Sequence, residues 1–175
     1  MAYRNKTFVS FASEDIHAYR LMQAWTANQH IDFSFLDAHD LNTARDSSLP
    51  DTIRRRLSER LTSTKQVVML LSSVTRSKAG DPTSFLYHEA NTIHRLNLPV
   101  VFVNLDGSRN VESHRIPDVL AQQYSICVSF QPTIVQYALD GYVDTFNKNL
   151  VEQDSGKRRS GPHYYKPETY RGLGL

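Results

Sequence analysis

Apolar residues come in short bursts along this chain, and the bursts alternate between two spacings. Lys6-Thr7-Phe8-Val9-Ser10-Phe11 is rich in β-formers and stops at Ser13. Ser13 is placed to cap a helix that opens with Glu14 and Asp15, acids that suit the positive end of the helix dipole. Ala18, Leu21, Met22 and Trp25 then recur at helical spacing. Ile31-Asp32-Phe33-Ser34-Phe35-Leu36 alternates apolar and polar ahead of Asp37 and predicts a second strand. Ser48-Leu49-Pro50-Asp51 has capping-box spacing with an early proline, and Ile53, Leu57 and Leu61 form the stripe behind it.

The second half repeats the alternation with stronger strands. Val67-Val68-Met69-Leu70-Leu71 is a continuous apolar run, the pattern of a strand covered on both faces. After a loop over 72–83, Leu86, Ala90, Ile93 and Leu96 share one side of a third helix. Pro99 through Leu105 forms a second apolar strand stopped by Asp106-Gly107, and Pro117 is suited to open a short helix. Residues 125–130 read as a last strand, and Val135, Leu139, Tyr142, Phe146 and Leu150 mark a long final helix.

Strands separated by helices require crossover connections, and these put helices on both faces of a parallel sheet. The expected architecture is α/β, a flavodoxin-like three-layer fold whose five-stranded parallel sheet has the order 2-1-3-4-5. One domain spans 1–152. From Gln153 the chain turns rich in Gly, Pro and Tyr, and the aromatic density of this tail, 153–175, predicts that it docks on the domain.

Composition narrows the function classes. The chain has 175 residues, a one-domain length, with 40% hydrophobic and 22% charged residues, which is globular and not disordered. Lys and Arg total 20 against 18 Asp and Glu, giving +2. The excess lies in the tail, where Lys157, Arg158, Arg159, Lys166 and Arg171 face only Glu152, Asp154 and Glu168. A neutral body is a poor footprint for nucleic acid. The lone cysteine, Cys127, excludes an internal disulfide and sits in an apolar run that suits a buried thiol. No run of ~18 apolar residues is present and none of signal-peptide length follows Met1, so no membrane partner and a cytoplasmic location are expected.

Ligands of such sheets sit at the carboxyl ends of the strands where strand order reverses. That crevice draws on residues 10–14, 37–40 and 72–89. The seven glycines supply neither a dinucleotide-binding fingerprint nor a Walker loop. His88-Glu89-Ala90-Asn91-Thr92 lacks the second histidine of a zinc-protease helix, and His88 and His94 fall on different helix faces, so no metal is expected. A phospho-receiver needs acids directly after the first strand and a lysine ending the fifth; Phe11-Ala12-Ser13 and Phe130-Gln131-Pro132 supply neither.

Several segments together carry a resemblance. The opening Lys6 to Asp15, the strand ends Phe35-Leu36-Asp37 and Val68-Met69-Leu70-Leu71-Ser72, and Phe85-Leu86-Tyr87-His88-Glu89-Ala90 followed by Leu98 to Val103 resemble TIR-like domains of bacterial antiviral defence. The ending from Tyr164 to Leu175 is similar to stand-alone ThsB-like proteins of the Thoeris system. Phe85 stands where that family usually has tryptophan and Tyr87 where it has arginine. The resemblance implies cleavage of NAD, as substrate and not as cofactor, between nicotinamide and ribose. A cyclic or conjugated ADP-ribose signal would then act on a downstream effector protein. It also implies self-association, because several such enzymes build sites between subunits. By position, Glu89 is the implied catalytic glutamate.

The chemistry asks for little more. Nicotinamide is already a cationic leaving group, so its departure needs no acid, and the transition state resembles an oxocarbenium ion. One negative charge and an acceptor near the ribose are required, with bulk water excluded if cyclisation is to compete. Glu89 borders the apolar stripe of its helix, three residues after Leu86 and four before Ile93, which sets it at the rim of a buried face. Ser10, Phe11 and Ala12 are the expected nicotinamide-pocket residues, with Phe11 as a stacking surface and Asp37 bonding ribose or a nearby amide. Ser72 and Phe85 complete the expected substrate-binding set. The plain alternatives are a solvated Glu89, a core Phe11 and a loop-organising Asp37. Two rival functions stand beside NAD cleavage: a non-catalytic TIR-like adaptor, and a nucleoside or nucleotide N-glycosidase using the same glutamate.

Overall fold

The computed structural model describes residues 5–37 and 50–175. In chain order the elements are β1 (Lys6–Ser10), α1 (Ile16–Ala27), β2 (Leu36–Asp37), α2 (Pro50–Thr62), β3 (Gln66–Leu71), α3 (Thr75–Ala79) and α4 (Phe85–Arg95). Then come β4 (Val100–Asn104), β5 (Ser125–Ser129), α5 (Pro132–Val151), β6 (Pro162–Tyr164) and α6 (Pro167–Gly172). The sheet is parallel throughout, in the order β2-β1-β3-β4-β5-β6. It is the α/β flavodoxin-like arrangement with one strand more than expected.

β3 and β4 are buried along their whole length. Alternate residues feed two cores, as the two-residue period of a strand requires. Val68, Leu70, Val101 and Val103 join α1 and α5 on one face. Val67, Met69, Leu71, Val100 and Phe102 join α2 and α4 on the other. Each such side chain removed from water contributes roughly 1.5–3 kcal/mol, which makes these strands the mechanical centre of the molecule.

The sixth strand comes from the tail. Pro162–Tyr164 pairs with Ser125–Cys127 of β5, and Ser125 N–H donates to the Gly161 carbonyl at 3.1 Å. Gly161 turns the chain at φ +69°, a left-handed conformation that any side chain would strain. The added strand covers donors and acceptors that β5 would otherwise leave open at the sheet edge. Beyond it, Tyr170 of α6 is fully buried; its hydroxyl accepts from the Ser129 N–H at 3.2 Å, and the Arg109 guanidinium lies 4.4 Å from its ring centre.

Several local expectations are corrected. The second strand is only Leu36–Asp37, because Phe33 turns into the core against Trp25 and Ser34 N–H donates to Gln136 of α5 instead of to a ladder partner. Ser13 caps nothing: residues Ser13–Asp15 form a 3-10 turn, and the Ser13 hydroxyl donates to Glu14. On α1 the buried face holds Tyr19 while Leu21 is 46% exposed, and Leu150 on α5 is likewise outside the core. The loop after β3 contains the short helix α3. Ser48 and Leu49, expected to cap α2, lie outside the described residues, as do Ala38, His39 and Asp40 of the crevice. Among the described residues no helix is long and apolar enough to cross a membrane.

The tail's hold on the sheet gives a direct test. Tyr170→Ala removes a fully buried ring and is expected to cost about 3–5 kcal/mol in urea unfolding. Tyr170→Phe leaves the Ser129 N–H without its acceptor and is expected to cost about 1–3 kcal/mol.

Candidate active site

β1 ends at Ser10, and its alternation decides what each following residue can reach. Phe8, Ser10 and Ala12 share one parity; Phe8 and Ala12 enter the core beneath α2 and α4. Val9 and Phe11 share the other and pack with α1 and α5. The crevice residues singled out from the sequence therefore divide between the two faces of the sheet.

On the first face, α4 starts cleanly because the Ser84 hydroxyl accepts from the Leu86 N–H at 3.1 Å. Leu86, Ala90 and Ile93 are buried, and their packing carries Glu89 inward until it is only 7% exposed. There the Ser10 hydroxyl, fully buried, donates to Glu89 Oε2 at 2.5 Å. Burial pushes the Glu89 carboxyl up to about 7; the Ser10 hydrogen bond and the positive charge of Arg60 on α2 pull in the other direction and do not offset it. The result is a carboxyl group that exchanges its proton near neutrality, beside the carboxyl end of β1. Phe85, one helical turn before Glu89, is half-buried on the same helix side.

On the second face, the Phe11 ring stacks on Tyr19 with centroids 5.0 Å apart and planes 17° from parallel. The Tyr19 hydroxyl in turn donates to the carboxylate of Asp37 at the end of β2. Phe11 and Asp37 are thus brought together through a tyrosine and are set apart from Glu89 by the sheet.

Ser72 belongs to a third cluster that bridges the β1 and β3 ends. Its hydroxyl donates to Asp15 at 2.6 Å, and its N–H donates to the Thr75 hydroxyl at 2.8 Å. Lys78 of α3 pairs with Glu14 at 2.7 Å a few residues away, which holds the Glu14 carboxyl below its usual range. These contacts tie the turn after β1 to the loop after β3.

Asp15, Tyr19 and Arg60 were not among the expected site residues, and Thr75 was covered only by the crevice range 72–89. Asp15, Tyr19 and Met22 do fall at helical spacing, so a polar residue with an aromatic on one side of α1 was visible. Nothing in local pattern says that their partners are Ser72 and Asp37, because those contacts span 57 and 18 residues.

The family model described as Thoeris protein ThsB, TIR-like domain, matches residues 8–110. That span is more than half of the chain and includes Ser10 and Glu89, and the chain belongs to this family, a TIR-like family of antiviral defence. A comparison with the curated proteins returns no match.

Glu89 leaves a thermodynamic signature. Its pKa stands above the ordinary 4.5, so between 4.5 and about 7 the native state holds a proton that the unfolded state has lost. Its stabilising contribution is complete below 4.5 and is lost as pH rises through about 7. At about 1.4 kcal/mol per unit the loss amounts to about 3 kcal/mol. Urea unfolding across that range is expected to show this decline in the natural protein relative to Glu89→Gln, which cannot titrate.

Proposed function

We propose that this member of the Thoeris ThsB TIR-like family is an NAD-consuming enzyme that breaks the bond between nicotinamide and ribose. The observation that carries the reading is the buried Glu89 carboxyl, bonded to Ser10 at the end of β1 and with a pKa of about 7. A buried carboxyl with a neutral pKa in the crevice of a doubly wound sheet is the group this chemistry asks for.

The bond from ribose C1′ to the nicotinamide nitrogen breaks with its electron pair going to the ring, which leaves neutral. Positive charge then spreads over C1′ and the ring oxygen of the sugar. The ionised Glu89 carboxylate stabilises that charge and accepts from a ribose hydroxyl, worth far more in a dry site than in water. Water attacking C1′ and losing a proton gives ADP-ribose. A nucleophile of the ADP-ribose itself, attacking the same carbon, gives a cyclic or conjugated product. That product would be the signal read by a downstream effector. The Ser10 hydroxyl keeps the carboxylate oriented and favours its ionised form. Ala12 and Phe85 lie on the Glu89 side and are assigned to the substrate pocket. Ser72, through Asp15, is assigned to the rim of that pocket, and Phe11 and Asp37, on the other face, to a contact with the substrate beyond the strand ends. Self-association and a cytoplasmic setting belong to the same proposal.

The assay is NAD turnover by the full chain at high concentration, read by liquid chromatography and mass spectrometry. Nicotinamide release is expected to fall at least about 100-fold in Glu89→Gln, which keeps shape and removes charge. In Ser10→Ala the acid limb of the pH profile is expected to move to higher pH, because a bond that favours the ionised carboxyl is gone. Release that survives Glu89→Gln contradicts the assignment. Cleavage of nucleoside monophosphates in place of NAD favours the N-glycosidase reading, and a chain inert towards both favours the adaptor.

A further inference from the structure

The far edge of the sheet holds a feature that the Glu89 chemistry does not use. A cleft of about 570 Å³ opens between α5 and the tail strand β6, within the size range of small-ligand sites. Tyr124, Tyr142, Tyr164 and Tyr165 line it, together with Arg159 and Lys166. No acid is among the lining residues. β6 is four strands from β1, roughly 19 Å at the usual strand spacing, so the cleft is separate from Ser10 and Glu89.

Three observations give it a chemistry. Tyr142 is 2% exposed, and among the buried side-chain polar atoms without a hydrogen-bond partner in the described residues its hydroxyl is the one on a residue that lines this cleft. Two of the tail's other bases are neutralised locally, Lys157 by Asp154 and Arg171 by Glu168, whereas no ion pair among the described residues engages Arg159 or Lys166. Both cations line a cleft that has no acid among its lining residues. Arg159 is also held in place, since its backbone exchanges two hydrogen bonds with Asn149 at the end of α5, at 2.7 and 2.9 Å.

We infer that this cleft is a second binding site, taking a nucleotide whose base lies against the tyrosines and whose phosphates lie between Arg159 and Lys166. Aromatic faces accept a base regardless of its identity, and charge-assisted bonds from two cations suit a phosphate more than a neutral sugar. Tyr142 supplies one polar contact at the back of the cleft. A ligand there touches both α5 and the tail, so occupancy stabilises the docked tail and raises the unfolding temperature.

The test is a titration of the nitrogen-15-labelled full chain with ADP, followed by NMR. Amide signals of Thr145, His163 and Tyr164 are expected to move saturably. Arg159→Ala combined with Lys166→Ala is expected to weaken this binding at least about tenfold, and adenosine or pyrophosphate alone to bind at least about tenfold more weakly than ADP. Tyr142→Phe, which keeps the ring, is expected to weaken it by a smaller factor. The shifts are expected to persist in Glu89→Gln, so a failure of the NAD reading leaves this result intact. Shifts confined to Ser10 and Ala12, no shifts at all, pyrophosphate binding as tightly as ADP, or indifference to loss of both cations overturns the inference.

Discussion

A carboxyl group is seldom taken out of water, and the hydrogen bond from Ser10 to Glu89 is the contact on which the proposed chemistry depends. It joins the end of β1 to the inner side of α4 across 79 residues of chain. Burial costs the ionised form more than Ser10 and Arg60 return to it, so the group sits near neutrality. The apolar packing of Leu86, Ala90 and Ile93 enforces that burial. The core beneath α2 and α4 therefore serves stability and sets the proton affinity of one carboxyl at the same time.

The same alternation that builds the two cores also divides the strand ends into separate jobs. One parity of β1 leads to Glu89; the other leads through Phe11 and Tyr19 to Asp37. The Asp15–Ser72 and Glu14–Lys78 contacts fasten the turn above β1 to the loop after β3. The strand ends are thereby tied together, with the Glu89 carboxyl on one side and a hydrogen-bonded aromatic stack on the other. Beside the opposite edge strand, Cys127 of β5 is a fully buried thiol that burial pushes up to about 12, which suits packing and not nucleophilic attack.

Much of the fold was legible because β1, β3, β4 and β5 are apolar runs of strand length separated by helical periodicity, and parallel crossovers leave few orders for them. Illegible elements were those decided by distant partners. The alternation at 31–36 reflects Phe33 seeking Trp25, not a ladder, so it overstated β2. Pro162–Tyr164 is three residues long, begins with proline and exposes Tyr164, so nothing local marks it as a strand until β5 is there to pair with it. Leu21 was expected inside and Tyr19 was overlooked because a buried tyrosine needs an acceptor, and Asp37 is one only once the chain has folded. For the candidate site, the position of Glu89 on the border of an apolar stripe pointed to burial. Its partner Ser10 could be inferred only from strand parity.

Carbon-13 NMR of the glutamate side-chain carboxyls, with Glu89 identified by the signal missing from Glu89→Gln, measures the central quantity directly. A midpoint near 7 in the natural protein, falling when a cationic nicotinamide compound binds, is the predicted result. A midpoint at the ordinary 4.5 would mean that Glu89 is a solvated carboxylate, and the account of the site built on its burial would be wrong.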